Sequence, residues 1–176
     1  MRLQGETLIL RPFVAPDAPD LLRYAQDPAV TEPAGMRPLT DLAAAQHFIA
    51  GARAELAIVR AGQVIGQVGV YPRAGDPEGP DGTTREIGYA LARPFWGQGL
   101  MTEALILVLR DLARHGITEV WAGVFPDNTR SVALLTRLGF AHRFTVPLAF
   151  SLTGGAPREE AYYSRKMKNE NDVSEL

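Results

Sequence analysis

Apolar and polar residues follow two periods along the chain, and each period predicts one type of element. Over residues 6–13 they alternate, which predicts a first strand. Leu21, Leu22 and Ala25 then recur at helical spacing, which predicts a helix over residues 17–27. The chain is therefore expected to begin with a strand followed by a helix.

Prolines interrupt the pattern after this helix. Residues 28–39 contain three prolines and one glycine, so we expect irregular backbone there. Thr40 is expected to cap a second helix that runs to about residue 54, because a threonine hydroxyl can accept a hydrogen bond from the first helical turn.

Strand-forming residues return after residue 54 and predict six further strands. These strands are expected at residues 55–60, 63–71, 83–92, 117–125, 141–150 and 158–167. Ala61 and Gly62 are expected to join the first two in a tight hairpin. Residues 72–82 are rich in Gly, Pro and Asp, which indicates a loop.

Two helices are predicted between the later strands. An apolar stripe marks the longer one, over residues 100–115, and consists of Met101, Ala104, Leu105, Val108 and Leu112. Gly116 is its expected C-terminal stop. Asn128 is expected to cap the shorter helix, which ends at Leu138 before Gly139.

The order of these elements predicts an α/β (α+β) fold. Strands outnumber helices and hairpins join several of them, so the central sheet is expected to be mixed and mostly antiparallel, with helices flanking it. A strand–helix–strand crossover over residues 83–125 contributes two parallel strands. We expect a single domain over residues 1–167 and a disordered tail over residues 168–176.

Composition and charge narrow the range of possible functions. The 176 residues include 18 Lys or Arg and 20 Asp or Glu, so the net charge of −2 disfavours a general nucleic-acid surface. No apolar run approaches the ~18 residues of a membrane span, and the first residues lack the order of a signal peptide. We therefore expect a cytoplasmic protein with neither nucleic acid nor membrane as a partner.

The absence of cysteine and the scatter of the histidines narrow the range of possible functions further. The chain has no cysteine, which excludes a disulfide scaffold, a thiolate zinc site and a cysteine nucleophile. The histidines His47, His115 and His142 are scattered and have no carboxylate pattern around them, so we expect no metal.

The stretch around Gly97 and Gly99 carries the most specific chemistry. It lies between a predicted strand and a helix N-terminus, where free backbone N–H groups and the helix dipole can hold a phosphate. The alternative is a tight turn capped by glycines. The Gly-Lys-Ser/Thr of a P-loop is absent, and Thr102 replaces the third glycine of the dinucleotide fingerprint, so neither nucleotide class fits.

The sequence here resembles the GNAT superfamily of acyl-CoA-dependent N-acetyltransferases. It looks closest to the bacterial-type branch that contains the ribosomal-protein N-terminal alanine and serine acetyltransferases. The resemblance extends from about residue 6 to about residue 167. Four stretches carry it: Glu-Ile-Gly-Tyr-Ala-Leu at 86–91, Phe-Trp-Gly-Gln-Gly-Leu-Met-Thr-Glu-Ala at 95–104, Asn-Thr-Arg-Ser at 128–131 and Leu-Gly-Phe at 138–140.

The resemblance implies that acetyl-CoA is the co-substrate and that the glycine turn binds its pyrophosphate. Main-chain N–H groups make these contacts in the family, and the implied binding residues are Trp96, Gly97, Gln98, Gly99, Leu100, Met101 and Thr102. Trp96 and Met101 depart from the family's motif, and the Met101 side chain must point away from the phosphates. The pantetheine arm is expected between two diverging parallel strands, in contact with Tyr89, Ala90, Leu91, Asn128 and Ser131.

Acetyl transfer to an amine requires a polarised thioester, a neutral amine and a stabilised thiolate. By resemblance, a backbone N–H of residues 89–91, with Tyr89 as a candidate, polarises the thioester carbonyl, and Ser131 donates to the departing thiolate. Glu86 is the candidate general base, acting through water. The alternatives for Glu86 are a solvated strand carboxylate or an ion pair with a neighbouring arginine.

Several other residues have competing explanations. Asn128 can be a simple helix cap, which does not exclude a contact with CoA. Tyr162 and Tyr163 on the last strand are second candidates for a proton donor. Arg130 and Arg137 are candidates for the ribose 3′-phosphate of CoA, or else ordinary surface charges.

The acceptor is the least defined part of the reaction. Without cysteine an acetyl-cysteine intermediate is impossible, so direct attack in a ternary complex is expected. An α-amino group of pKa ~8 is about a tenth neutral at pH 7, whereas a lysine gives up its proton at a cost of roughly 4–5 kcal/mol, which favours a protein or peptide N-terminus. The alternatives are a small amine, such as a polyamine, an antibiotic or an amino acid, and a non-catalytic acyl-CoA-binding module. A homodimer is a family-level expectation.

Overall fold

The computed structural model describes residues 2–73, 82–148 and 158–167. Its strands are β1 (Leu3–Gln4), β2 (Ile9–Pro12), β3 (Glu55–Arg60), β4 (Gln63–Pro72), β5 (Thr84–Leu91), β6 (Glu119–Val124), β7 (Ala141–Leu148) and β8 (Arg158–Lys166). Its helices are α1 (Ala18–Ala25), α2 (Pro28–Thr31), α3 (Leu42–Gly51), α4 (Leu100–Arg114) and α5 (Thr129–Arg137). Most of the predicted loop at 72–82 and all of the predicted tail at 168–176 lie outside the described residues.

The described strands form one sheet in the order β1-β2-β3-β4-β5-β6-β8-β7. β5 and β6 run parallel, whereas β1–β2, β2–β3, β3–β4, β6–β8 and β7–β8 pair antiparallel. The parallel strands are those that the crossover through α4 connects, as the strand–helix–strand pattern predicts. The prediction of a mixed, mostly antiparallel sheet flanked by helices is confirmed.

The chain divides into two compact units, Met1–Gly69 with Tyr89–Ala104, and Val70–Gly88 with Leu105–Leu176. The core of the first unit joins α1 and α3 to β3 and β4 through Leu21, Tyr24, Ala25, Ala45, Ala57, Val59 and Val64. In the second unit, fully buried apolar side chains come from α4, β6, α5 and the residue after α5, and include Leu105, Val108, Leu109, Val120, Leu135 and Leu138. The single domain over residues 1–167 stays a prediction.

Helix α3 begins after Asp41, so the expectation that Thr40 caps it is wrong. The Asp41 carboxylate accepts a hydrogen bond from the Ala44 N–H at 2.8 Å, and the Thr40 hydroxyl donates to the same carboxylate at 3.3 Å. A carboxylate is charged and complements the positive end of the helix dipole, so the aspartate takes the capping position.

Two short elements near the N-terminus depart from the predicted pattern. Pro28–Thr31 forms the single helical turn α2, although its prolines predict irregular backbone. The Asp27 side chain accepts from the Ala29 N–H at 3.0 Å, and Pro28 occupies the first helical position, where its fixed φ suits a helix. Strand β1 is two residues long and leaves no periodic pattern in the sequence.

The hairpin and the long helix agree with the sequence pattern. Ala61 and Gly62 adopt φ angles of 49° and 81°, a left-handed pair that suits a two-residue hairpin. Helix α4 buries the whole predicted stripe of Met101, Ala104, Leu105, Val108 and Leu112. Gly116 follows it at a φ of 77°, as expected for a glycine at a helix C-terminus.

Candidate active site

The predicted site residues fall into two groups, one in each unit. The first unit holds Tyr89, Ala90 and Leu91 at the end of β5, together with the glycine turn at residues 96–102. The second unit holds Glu86, Asn128 and Ser131. Each group has its own framework of hydrogen bonds and packing.

The Trp96 side chain anchors the glycine turn to the end of β5. Its indole N–H donates a hydrogen bond to the Leu91 carbonyl at 2.7 Å, and its ring packs against the core of the first unit. The 3₁₀ turn Arg93–Phe95 leads the chain from β5 into the glycines. Trp96 therefore fixes where the turn begins, which gives its departure from the family's motif a structural reason.

The main chain of the glycine turn is open to its surroundings. Gly97 and Gly99 adopt φ angles of 73° and 75°, and a Cβ atom built on either would meet nothing within 4 Å. Helix α4 begins at Leu100, so the N–H groups of its first residues have no partner inside the helix. An anion can reach these amides at the positive end of a 15-residue helix dipole, and the turn therefore fits a pyrophosphate.

The side chains of the turn leave this main-chain surface uncovered. Leu100 and Met101 are both buried, and the orientation of Met101 relative to the phosphates stays a prediction. The Gln98 carbonyl oxygen accepts from the Arg60 guanidinium at 2.9 Å, and its amide donates to the Pro94 carbonyl at 2.9 Å. Sequence reasoning missed Arg60, because it lies 38 residues before its partner in a different strand.

The first turn of α4 is fixed by a contact with the N-terminal segment. The Glu103 carboxylate accepts hydrogen bonds from the backbone N–H of Thr7, at 2.9 Å, and from the Thr7 hydroxyl. The Glu103 N–H donates to the Gly99 carbonyl at 3.0 Å. The open turn is thus held on both sides, by Trp96 before the glycines and by Glu103 after them.

Strand β4 holds the segment that is expected to polarise the thioester. A Cβ atom on Gly66 would lie 2.3 Å from the Ala90 carbonyl oxygen and 3.0 Å from the Leu91 Cα, so the two backbones approach each other closely. The Ala92 N–H donates to the Ile65 carbonyl at 2.8 Å. Only glycine fits at position 66, and its absence of a side chain sets the position of Ala90 and Leu91.

In the second unit, Glu86 lies on the sheet face that β6 and β8 continue. β5 pairs with β6 at three positions, the last of which places Glu86 opposite Trp121. In the β6–β8 register, Trp121 lies opposite Ser164 and Gly123 opposite Tyr162. Directly opposed residues share a face, so Glu86, Trp121 and Tyr162 belong to one surface.

Arg73 forms an ion pair with the candidate base. Its guanidinium donates to the Glu86 carboxylate at 2.9 Å, and the exposed fractions of the two side chains are 17% and 33%. The guanidinium carbon lies 3.9 Å from the centroid of the Trp121 ring and 5.4 Å from that of Tyr162. The structure therefore contains the ion pair with a neighbouring arginine that is one alternative for Glu86.

Tyr162 and Glu160 form a second polar pair on this face. The Tyr162 hydroxyl donates to the Glu160 carboxylate at 2.8 Å. Burial, the hydrogen bond to Glu160 and the negative charges of Glu160 and Glu86 together raise the pKa of Tyr162 to about 12, against the opposing charge of Arg73. Tyr162 is therefore protonated at neutral pH, and its hydroxyl is already engaged as the donor of a hydrogen bond to the Glu160 carboxylate.

Glycine at position 123 makes room for this pair. A Cβ atom on Gly123 would overlap the Glu160 carboxylate, which lies directly over the β6 backbone. The Phe144 ring stacks on the Tyr162 ring with centroids 5.1 Å apart, and it lies 5.9 Å from the Trp121 ring. The Trp121 indole N–H is buried and has no hydrogen-bond partner among the described residues.

Asn128 and Ser131 lie in the first turn of α5. The Asn128 side chain accepts a hydrogen bond from the Ser131 N–H at 3.2 Å, so the predicted helix cap is confirmed. Both side chains are partly exposed. The contacts of Asn128 and Ser131 with CoA, which the family resemblance implies, stay predictions.

The two candidate tyrosines of β8 point to opposite faces of the sheet. Tyr163 alternates with Tyr162 along the strand, and its ring lies 5.4 Å from that of His142. Only Tyr162 joins the surface that carries Glu86. The strand register separates the two tyrosines in a way that the sequence alone does not reveal.

Residues 2–73, 82–148 and 158–167 contain neither a candidate metal site nor a helix that could span a membrane. No group of three His, Asp or Glu side chains in these ranges is arranged to hold a metal ion. In the same ranges, no helix has both the length and the apolar character to cross a membrane. The carboxylates of the candidate site instead bond to Arg73 and Tyr162.

Comparison with known proteins identifies relatives along most of the chain. The family model of the acetyltransferase (GNAT) domain matches residues 7–141. An uncharacterized N-acetyltransferase p20 of Bacillus licheniformis is 31% identical over 153 residues, which cover 78% of this chain and 81% of that protein. The [ribosomal protein uS5]-alanine N-acetyltransferase of Escherichia coli K12 is 42% identical over 55 residues, which cover 31% of this chain and 28% of that protein.

Solved structures agree in fold. RimL, a ribosomal L7/L12 α-N-protein acetyltransferase solved in complex with coenzyme A, has a TM-score of 0.80 and 21% identity. The likeness covers 95% of this chain and 98% of that chain. At this identity the comparison concerns the fold alone.

Proposed function

The chain belongs to the GNAT acetyltransferase family, and from that premise we propose that it transfers acetyl from acetyl-CoA to the α-amino group of a protein or peptide. The amine attacks the thioester directly in a ternary complex. The catalytic domain extends over residues 1–167. The protein acts in the cytoplasm. The homodimer stays a prediction.

The open glycine turn is the observation that carries the proposal. Gly97 and Gly99 are exposed just before the N-terminus of α4, and a Cβ atom on either would meet nothing within 4 Å. In the proposed complex the amides of residues 97–102 bind the pyrophosphate of acetyl-CoA. Asn128 and Ser131 contact the pantetheine arm.

The chain's own residues assist the transfer at the thioester carbonyl and at the leaving sulfur. Acetyl-CoA supplies an activated thioester, whose carbonyl oxygen is held by a backbone N–H of residues 89–91. The acceptor nitrogen forms a bond to the carbonyl carbon, and the carbon–sulfur bond breaks. Ser131 donates to the sulfur that leaves. No acetylated cysteine can intervene, because the chain contains no cysteine.

Glu86 receives the proton that the acceptor amine loses, directly or through one water. The guanidinium of Arg73 occupies one carboxylate oxygen at 2.9 Å and leaves the other oxygen for this proton. Arg73 is in this account a positioning residue, because it fixes the orientation of the Glu86 carboxylate.

Two arguments support an α-amino acceptor. At neutral pH an α-amino group of pKa ~8 is neutral roughly 250 times more often than a lysine of pKa ~10.4, so it needs less help from a base that is shared with an arginine. The 55-residue likeness to an enzyme whose name specifies the alanine of ribosomal protein uS5 points to the same class of acceptor.

The test is a mass-spectrometric assay with two matched peptides. One has a free N-terminus and no lysine, and the other is blocked at the N-terminus and contains one lysine. We expect acetylation of the first, and for the second a rate lower by about two orders of magnitude at pH 7. Faster acetylation of a polyamine, an amino acid or an antibiotic would favour a small acceptor, and turnover with none of them would favour an acyl-CoA-binding module.

A further inference from the structure

The sheet face that carries Glu86 already contains one bound cation, which is the chain's own Arg73. Its guanidinium lies over the Trp121 ring at 3.9 Å and donates to the Glu86 carboxylate at 2.9 Å. A flat aromatic surface and one carboxylate are together sufficient to hold a guanidinium at this position. This arrangement shows what kind of group the face accommodates.

The same combination occurs a second time on this face. The Phe144 and Tyr162 rings stack at 5.1 Å with an interplanar angle of 28°, and Phe144 is 42% exposed. The Glu160 carboxylate lies at the edge of these rings, bonded to the Tyr162 hydroxyl at 2.8 Å. An exposed aromatic platform therefore stands beside a carboxylate, as Trp121 stands beside Glu86.

The carboxylates of this face differ in their partners. Glu86 pairs with Arg73, and Glu119 lies 4.0 Å from Arg143, whereas Glu160 takes part in none of the ion pairs of the described residues. Glu160 is therefore bonded to the Tyr162 hydroxyl and has no cationic partner among the described residues, since Arg158, two residues away on the same face, is paired with Asp127. Burial is the main cause of the raised pKa of Tyr162, and the hydrogen bond to Glu160 and the negative charges of Glu160 and Glu86 add to it.

We propose that the platform of Phe144, Tyr162 and Glu160 binds a cationic side chain, arginine or lysine, of the acceptor peptide near its N-terminus. The cation lies against the rings of Phe144 and Tyr162, and Glu160 is its counter-ion. This inference rests on the proposed function, because it takes the peptide whose amine Glu86 deprotonates as the occupant. The platform selects among peptides and takes no part in the chemical step.

Peptide substitution gives the first test. N-terminal alanine peptides of equal length carry arginine, lysine, norleucine or glutamate at the second or third position, and kcat/KM is measured for each. Norleucine has a similar stem without the charge, so it isolates the contribution of the cation. We expect kcat/KM to be about tenfold higher for the arginine peptide than for the norleucine peptide at one of the two positions, mainly through KM.

The variant Glu160→Gln tests the counter-ion. Glutamine keeps the size of the side chain and an oxygen that can accept from Tyr162, so only the charge changes. The arginine advantage should fall to about twofold in this variant, while the rate with the norleucine peptide stays unchanged. Glu159→Gln is the matched control, because Glu159 is the preceding residue of β8, is exposed, and points to the other face of the sheet. It should keep the full advantage.

The outcomes distinguish failure of the proposed cation platform from failure of the proposed N-terminal acetylation. Equal rates with all four peptides, or an arginine advantage that survives Glu160→Gln, would overturn the platform and leave N-terminal acetylation standing. Acetylation of small amines and of no peptide would overturn both. Acetyl-CoA binding measured on each variant confirms that the protein is folded and that the loss concerns the acceptor.

Discussion

The glycine turn of the first unit and the Glu86 face of the second unit are built in opposite ways. The turn offers main-chain amides, and its side chains either are buried, as with Leu100 and Met101, or bond elsewhere. The face around Glu86 offers side chains, brought together from four strands and from the residue after β4. In the proposed function, the turn binds acetyl-CoA through its main-chain conformation, whereas the face around Glu86 contacts the acceptor through its side chains.

This contrast predicts that substitutions in the two regions separate binding from catalysis. Glu86→Gln should give the largest loss, of about 10²-fold or more in kcat, because it removes the proposed general base. Acetyl-CoA binding should be unchanged, since no part of the glycine turn is altered. Steady-state kinetics and calorimetric titration on the same preparation measure the two effects.

Arg73→Gln is the matched control for that loss, because it breaks the same ion pair and keeps the carboxylate. If Glu86 is the base, Arg73→Gln should retain much more activity than Glu86→Gln. Equal losses would show that the ion pair matters for structure alone. The stability lost with the pair itself should be below about 1 kcal/mol, since both side chains are partly exposed.

Gly66→Ala should displace Ala90 and Leu91, which precede the glycine turn, without changing a residue of the turn itself. The added Cβ atom would lie 2.3 Å from the Ala90 carbonyl oxygen, so the ends of β4 and β5 must move apart. We expect a loss of about 1–3 kcal/mol in the free energy of unfolding and weaker acetyl-CoA binding. Gly51→Ala at the end of α3 is the control, because a Cβ atom there meets nothing within 4 Å. Urea denaturation measures the free energy of unfolding of both variants, and equal values for the two would contradict the prediction.

Ser131→Ala should have a smaller effect, a fall of a few-fold to about tenfold in kcat. The substitution removes a hydroxyl and keeps the backbone N–H that Asn128 caps. Thr129→Ala removes a hydroxyl from the same helical turn and should leave kcat unchanged. A loss of equal size in both variants would assign the effect to the helix and remove Ser131 from the reaction.

The smallest predicted effect concerns Tyr162 at high pH. Its pKa is raised from 10.0 to about 12 in the folded protein, so the stability linked to its protonated form is complete below about pH 10 and disappears as the pH rises toward 12. The free energy of unfolding should therefore fall more steeply between pH 10 and 12 in the native chain than in Tyr162→Phe. Identical slopes would show that folding does not raise the pKa of the Tyr162 hydroxyl.

The same contrast explains how far the sequence could be interpreted. The glycine turn, the stripe of α4 and the Asn128 cap depend on residues that are close together in the chain, and the structure agrees with all three. The cap of α3 was assigned to Thr40 because hydroxyl and carboxylate caps give similar patterns, and Asp41 is one residue further on. These elements needed only local rules.

The Glu86 face could not be predicted, because its geometry depends on strand register. Arg73, Trp121, Phe144 and Glu160 are separated by long stretches of sequence, and no local pattern connects them. A one-residue shift between β6 and β8 would turn Tyr162 to the other face and bring Tyr163 onto this one. Alternation within β8 places Glu160 and Tyr162 on the same face, and this is the one contact of the cluster that could be predicted from the sequence.

The most direct test of the account is calorimetric titration of acetyl-CoA against the native chain, Gly99→Glu and Gly62→Glu. Both glycines have a positive φ, 75° and 81°, and a Cβ atom on either meets nothing, so the two variants share the same strain and the same added charge. The account predicts micromolar binding, about −8 kcal/mol, by the native chain and Gly62→Glu, and none by folded Gly99→Glu. Binding that survives in Gly99→Glu, or that is absent from the native chain, would contradict it.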